Sequence, residues 1–493
     1  MNPTGNRHSF WSLFHNWISL AGLMLAGSAL FAFILLFAID LTAHNGNPYM
    51  GILAYVVAPG FLFLGLGIAG FGAWRSLKIR RQAGEEFELA KISIDLSKPA
   101  ERRRLLQFSG GAILFLLLTA LGSYQTYEYT DSVNFCGQTC HTPMEPEFTA
   151  YLDSPHARVA CTECHVGSGA EWYLKAKING VHQLISAVTD TYSRPIPTPV
   201  KNLRPAQDTC EHCHWRERDS GNLERTYEHF LADEANTPFT VRMILKVGGG
   251  GGNGHPGSGI HWHMNLANQI EYITTDPQRK VIPWVRLTDA AGKQTVFKTE
   301  EFTGAPEDYE IRRMDCLDCH NRPAHQFNTP NDAVEVALAA GRIDRSVPWV
   351  KSNLVAALTA EYRDKADAAQ GIASRLTEAY SDQAALPELI KEAHAIYSRN
   401  FFPEMKADWR AYPDHSGHKD SDGCFRCHSG QHFTENKQLL SASSCNDCHL
   451  ILAQGSGEDL KNLSADGHAF FHVDSEYEDY SCAVCHNGAI MEE

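Results

Sequence analysis

Three unbroken apolar runs open the chain, at residues 17–39, 53–74 and 105–123, and none contains Asp, Glu, Lys, Arg or His. Each is about 20 residues long, the length of helix that crosses a bilayer core. The pattern predicts three transmembrane helices. A cleaved signal peptide would be shorter and would not be followed by two more spans. Further on, "QIEYITT" and "KVIPWVRLTDAAGKQTVFKT" alternate apolar and polar residues around a turn, which predicts a small β element. Residues 331–401 read instead as amphipathic helices. In "LPELIKEAHAIYSRNFF", Pro387 suits a first helical turn, and Ile390, His394 and Tyr397 share a face. The stretch "KVGGGGGNGHPGSGIHWHM" predicts a flexible loop, the alternative being backbone that passes closely over a bulky group.

Charge sets the orientation. The loop between the second and third runs, residues 75–104, carries nine Lys and Arg, whereas "DLTAHNGNPYM" after the first run carries none. The excess of basic residues places that loop and the amino terminus in the cytoplasm. The third span then exits outward, with Tyr124, Tyr127 and Tyr129 as an interfacial belt. Everything after about residue 125 is therefore expected on the outer face of a bacterial inner membrane, in the periplasm. The whole chain of 493 residues has a formal net charge of −15. An acidic outer part argues against nucleic acid and for basic or weakly docking partners.

The cysteines carry the chemistry. Twelve of the 14 form six C-x-x-C-H motifs, the signature of covalent haem attachment. They are Cys161, Cys164, His165; Cys210, Cys213, His214; Cys316, Cys319, His320; Cys424, Cys427, His428; Cys445, Cys448, His449; and Cys482, Cys485, His486. Zinc ribbons and disulfides have no use for a His after every pair. The remaining two, in "FCGQTCHTPM", are Cys136 and Cys140 before His141, with one residue too many between them. Residues three and four apart share a face of a helical turn, so this pair still reaches both haem vinyl groups after a local adjustment. Seven covalent haems are expected.

The spans hold no His for b-type haem and no ionisable residue for a proton relay, so proton chemistry is expected at the outer surface. Each motif His is the default proximal iron ligand. Distal candidates exceed the need: His156, His229, His325 and His394 are the better ones, either of His261 and His263 could serve, and His415, His418, His432, His468 and His472 follow. His182 and His255 are also available, and His212, inside a motif loop, is a poor choice.

The expected organisation is a membrane anchor (1–125), haems 1–3 (126–235), a Gly-rich and β segment with haem 4 (236–330), a helical segment (331–410) and haems 5–7 (411–493). The fold class is thus a membrane-anchored multihaem cytochrome c, with three N-terminal transmembrane helices and a mainly α and irregular periplasmic haem domain bearing a small β element.

"FCGQTCHTPMEPEFTAYLDSPHARVACTECHVG", directly after an apolar span, resembles the NapC/NirT/NrfH family of membrane-anchored quinol dehydrogenases over about residues 105–215. The three spans, "WYLKAKINGVHQL", "RPIPTPVKNLRPAQDTCEHCHW", "MDCLDCHNRPAH" and "GCFRCH" resemble the longer ImcH-like inner-membrane heptahaem cytochromes. The resemblance implies quinol oxidation at the first haem and electron relay to periplasmic multihaem cytochromes or a reductase. In one branch a Met two positions after the motif His binds the first iron. Here Met144 stands three positions after His141, which leaves both as candidate ligands. The resemblance also makes His156 a distal ligand of a neighbouring haem. The family's quinol pocket uses a Lys and an acid after the second motif. "AEWYLKAKINGVHQLISAVTD" offers Lys175 and Lys177, with His182, Glu171 or Asp190 in the acid's place. Quinol, menaquinol in particular, is the expected substrate, and a membrane subunit or a second copy of the chain are further candidate partners. A passive conduit, a terminal haem reductase and the same wire run in reverse remain open.

Overall fold

The structure, a computed structural model, describes residues 8–9, 13–42, 57–82, 87–88, 96–139, 141–167, 170–200, 204–215, 218–251, 257–441, 444–473 and 476. Cys140, His255 and the seventh motif (Cys482, Cys485, His486) lie outside them, as do the side chains of His141, Glu171 and Lys177. The chain forms two compact units, Met1–Cys136 with Cys161–Gln183, and Gly137–Ala160 with Leu184–Glu493.

The first unit holds three helices, α1 (Trp17–Thr42), α2 (Ala58–Gln82) and α3 (Pro99–Asp131), each long and apolar enough to cross a membrane. The start of the second expected run, residues 53–56, lies outside the described residues. Both α2 and α3 continue past the apolar runs, because the flanking Arg, Lys, Gln and Glu are good helix formers. Small residues set the α1–α2 seam. A Cβ on Gly22 would sit 2.3 Å from the Ala69 nitrogen, and one on Gly65 would sit 2.5 Å from that of Ala26. With no water to drive apolar association in lipid, close backbone approach of this kind is what joins membrane helices. Ser19 Oγ donates to the Ala69 carbonyl at 2.9 Å and closes the seam.

The second unit begins with α4 (His141–Leu152). Another helix, α5 (Ala170–Val188), follows the second motif and belongs to the first unit as far as Gln183. Two antiparallel sheets come next. The first joins β1 (Leu223–Phe230) to β2 (Pro238–Leu245). The second contains β3 (Gln269–Ile273), β4 (Trp284–Thr288), β5 (Gln294–Lys298) and the short β6 (Arg312–Arg313), in the order β5-β4-β3-β6. Strands β3 to β5 are the expected β element, buried on both faces: Tyr272 packs with Ile270 and Val285 on one, Ile273 with Trp284 and Phe302 on the other.

Four helices supply the largest core: α6 (Pro330–Ala339), α7 (Val350–Thr359), α8 (Lys365–Tyr380) and α9 (Leu386–Asn400). Two of the four starts are capped by side chains. Thr329 Oγ1 accepts from the Asp332 amide with Pro330 at the first helical position, and Asp364 accepts from the Asp367 amide. Val334, Val350, Leu354, Ile372, Leu376, Ala393 and Ile396 interlock as the fully buried centre. Full burial of each Leu or Ile is worth about 1.5–3 kcal/mol. A last strand, β7 (His449–Gly455), starts at the sixth motif and pairs with β2, so β1-β2-β7 closes as a three-stranded sheet. The β1–β2 turn, 231–237, contains residue 235, where the sequence suggested a boundary. The glycine-rich segment is a close backbone crossing at its ends: Gly249 pairs with Ser258, and Gly248 and Gly259 have φ of 62° and 64° with no room for a Cβ.

Candidate haem-binding sites

A C-x-x-C-H peptide must present two thiols and an imidazole from a single turn. The described motifs do so. Cys161–His165 is one helical turn. In the third, fourth and fifth motifs the His amide donates to the carbonyl of the first Cys: His214 to Cys210 at 2.8 Å, His320 to Cys316 at 2.8 Å and His428 to Cys424 at 3.0 Å. At the sixth, Cys445–Cys448 is a helical turn under a Ser444–Asp447 capping box.

The long first motif has its own solution. Phe135–Thr139 forms a single π-helical turn, a form that accommodates an extra residue and recurs at functional sites. Gly137 makes it fit: a Cβ there would lie 2.2 Å from the Phe148 ring on α4. Within the first unit, a hydrogen bond with Cys136 holds the Cys161 thiol down to about 7 against its burial, so the first cysteines of motifs one and two are neighbours.

Four motif histidines each face a histidine from elsewhere in the second unit. Ring centres are 6.3 Å apart for His156 and His214, 6.4 Å for His261 and His320, 5.8 Å for His263 and His428, and 6.2 Å for His418 and His449. One metal ion bound by two imidazole nitrogens at about 2.0 Å each sets the ring centres roughly 6 Å apart. Three of these rings are held by their other nitrogen as in metal-bound imidazoles, whose second nitrogen bonds a carbonyl or carboxylate, whereas His418 and His449 keep a buried Nδ1 with no partner. His156 Nδ1 meets the Pro323 carbonyl at 3.0 Å, His263 Nδ1 that of Ile260 at 2.7 Å and His428 Nδ1 that of Ser441 at 3.0 Å. The residues fit haem iron with two axial His. Among the described residues no group of three or more His, Cys, Asp or Glu is arranged to hold a bare metal ion.

The other candidates divide by the nitrogen they use. His325 Nδ1 meets the Glu147 carbonyl at 3.0 Å, which docks it on α4, the helix that opens with His141 and carries Met144. His229 Nδ1 meets Glu335 Oε2 at 2.9 Å. By contrast, His394, His415, His432 and His468 bond through Nε2 to the carbonyls of Ala369, Gln278, Ile282 and Asn462. His415 and His432 are buried, and burial pushes both below the usual imidazole range. His472 is half-buried in the segment after β7.

On α5, Lys175 and His182 are exposed, and Lys175 Nζ sits 5.0 Å from the Trp172 ring centre. At 100° per residue, Lys175 and His182 lie on one side of this helix. Ile178, Ile185 and Val188 form an exposed apolar stripe beside them.

Long apolar helices joined to haem-attachment turns whose histidines meet in pairs define a membrane-anchored multihaem cytochrome c, and the chain belongs to the NapC/NirT cytochrome c family. The model of that family's N-terminal region matches residues 99–229. The chain is 38% identical over 489 residues, 96% of its own length and 95% of the relative's, to cytochrome c-type protein ImcH of Geobacter sulfurreducens. No solved structure matches.

Proposed function

We propose that this protein oxidises menaquinol or a related quinol at the outer surface of the inner membrane and relays the electrons along seven covalent haems to periplasmic cytochromes or a reductase. The observation that carries this reading is the family match, which begins at residue 99 and runs through the third apolar helix and the first three motifs. When bound, the haems supply one-electron redox centres. The chain holds them by the paired cysteines of each motif and by His165, His214, His320, His428, His449 and His486, with His141 or Met144 at the first. His156 serves the third site and His418 the sixth. His229 and His325, each anchored through Nδ1, are candidates for the remaining sites. His394, His415, His432 and His468 are structural, because their Nε2 atoms are engaged by carbonyls.

The quinol reading assigns α5 to the membrane interface. Its apolar stripe faces lipid, Lys175 and Lys177 orient the quinol oxygens, and His182 accepts a proton. Each quinol becomes a quinone, giving up two electrons for relay to the periplasmic acceptor and two protons to the periplasm. The test is anaerobic incubation of oxidised, detergent-purified protein with a menaquinol analogue. Growth of the reduced haem band is expected. Reduction by dithionite but not by quinol overturns the reading.

A further inference from the structure

His261 and His263 sit two residues apart on the 3-10 turn Ile260–Met264, yet they face different motifs: His261 faces His320 of the fourth, and His263 faces His428 of the fifth. The turn is pinned where β2 ends. The Ile260 amide donates to the Lys246 carbonyl at 2.8 Å and the His261 amide to that of Val247 at 2.9 Å. Gly259 lies so close to the same strand end that a Cβ would come within 2.3 Å of the Lys246 oxygen. The turn therefore has a fixed position from which to present two imidazoles in two directions.

The two attachment loops are themselves locked together. Arg426, inside C-F-R-C-H, is buried and donates from Nη2 to the backbone carbonyl of Asp318, inside C-L-D-C-H, at 2.5 Å. Its Nη1 reaches the Arg279 carbonyl at 2.9 Å and its Nε the Gly423 carbonyl at 2.7 Å. The buried Asp318 carboxylate accepts from Tyr272 Oη at 2.5 Å and from Arg279 Nη1 at 2.6 Å, which ties both loops to β3. Buried charges persist when every donor and acceptor is matched, and this set is.

We propose that His261 and His263 are the distal axial ligands of two different haems, the fourth and the fifth. The turn Ile260–Met264 then bridges the two irons, and Arg426 with Asp318 positions the two attachment loops as one paired-haem module. The "HWH" spacing follows from this role: a single iron needs one of these histidines, whereas two irons on opposite sides of a narrow turn need both. The proposal rests on haem attachment at the fourth and fifth motifs and is independent of quinol oxidation.

The experiment uses the full-length, haem-loaded protein and the variants His261→Met, His263→Met and the double. Covalent haem is counted by mass spectrometry, and axial ligation is read by electron paramagnetic resonance and the near-infrared band of methionine-bound iron. Each single variant is expected to convert one haem's bis-histidine signal, and the double two, with the haem count unchanged. Conversion of only one signal, or none, in the double overturns the assignment. If a Met variant fails to accumulate, the His→Gly variant is titrated with imidazole. Loss of one low-spin signal, restored by imidazole, supports the bridge, and an unchanged spectrum overturns it.

Discussion

His156 and His214 stand with their ring centres 6.3 Å apart, although one follows α4 and the other closes the third motif. Pro323 holds the far nitrogen of His156, so the ring is aimed before any iron is bound. His156→Met is expected to convert one bis-histidine signal to histidine–methionine ligation and leave the other signals and the haem count unchanged. Electron paramagnetic resonance with mass spectrometry checks this. An unchanged spectrum would place the ligand elsewhere.

Gly137 is the residue on which the long first motif turns. Gly137→Ala drives a methyl into the Phe148 ring and is expected to cost about 1–3 kcal/mol. The double variant with Phe148→Ala should recover part of that loss in urea unfolding, since it removes the atoms in collision.

Burial of charge makes a second sensitive point. Lys351 Nζ donates to Glu335 at 2.7 Å and to the Phe230 carbonyl, while Glu335 also takes His229. Burial opposes ionisation of Glu335, but His229 and Lys351 outweigh it and hold the carboxyl down to about 2. Lys351→Met strands this carboxylate and is expected to cost about 3–5 kcal/mol. Replacing both residues by apolar ones of similar size should be milder, which denaturant melts of the two variants would separate.

Acid acts through His415. Burial and the nearby Arg426 charge lower this imidazole from 6.5 to about 4, despite its bond to the Gln278 carbonyl. The folded pKa is depressed, so the unfolded chain takes up the proton first. The contribution of His415 is complete above pH 6.5 and is lost as pH falls from 6.5 through 4, by roughly 3 kcal/mol. His415→Gln keeps a donor for Gln278 without the titration and should flatten that part of the stability curve.

The attachment sites were legible because Cys and His spacing is local, and the spans because twenty charge-free residues have few other homes. The helices of 331–401 and the β3–β5 element were legible from their periods. The β1-β2-β7 sheet was not. In β1, "LERTYEHF", the first six residues are exposed, so no buried face marks the strand, and β7 arrives from more than 200 residues away. The histidine pairing was equally hidden, since which ring nitrogen is free depends on a carbonyl distant in sequence. His394 shows this: it shares a helix face with Ile390 and Tyr397 as expected, but its Nε2 bonds Ala369 inside the helical core. His261 and His263 were hidden too: either was expected to serve, and each faces a histidine of a different motif.

The most direct test of the account is anaerobic stopped-flow mixing of the oxidised protein with a menaquinol analogue, followed at the haem α-band. Wild-type protein and a Lys175→Ala, Lys177→Ala, His182→Ala variant would be compared, with dithionite as the control. Rapid reduction of the wild type, slowed at least about tenfold in the variant with the dithionite reaction unchanged, is the predicted result. A tenfold loss corresponds to about 1.4 kcal/mol of barrier. Quinol-driven reduction at equal rates in both proteins would contradict the site on α5, and no quinol-driven reduction in either would contradict quinol oxidation itself.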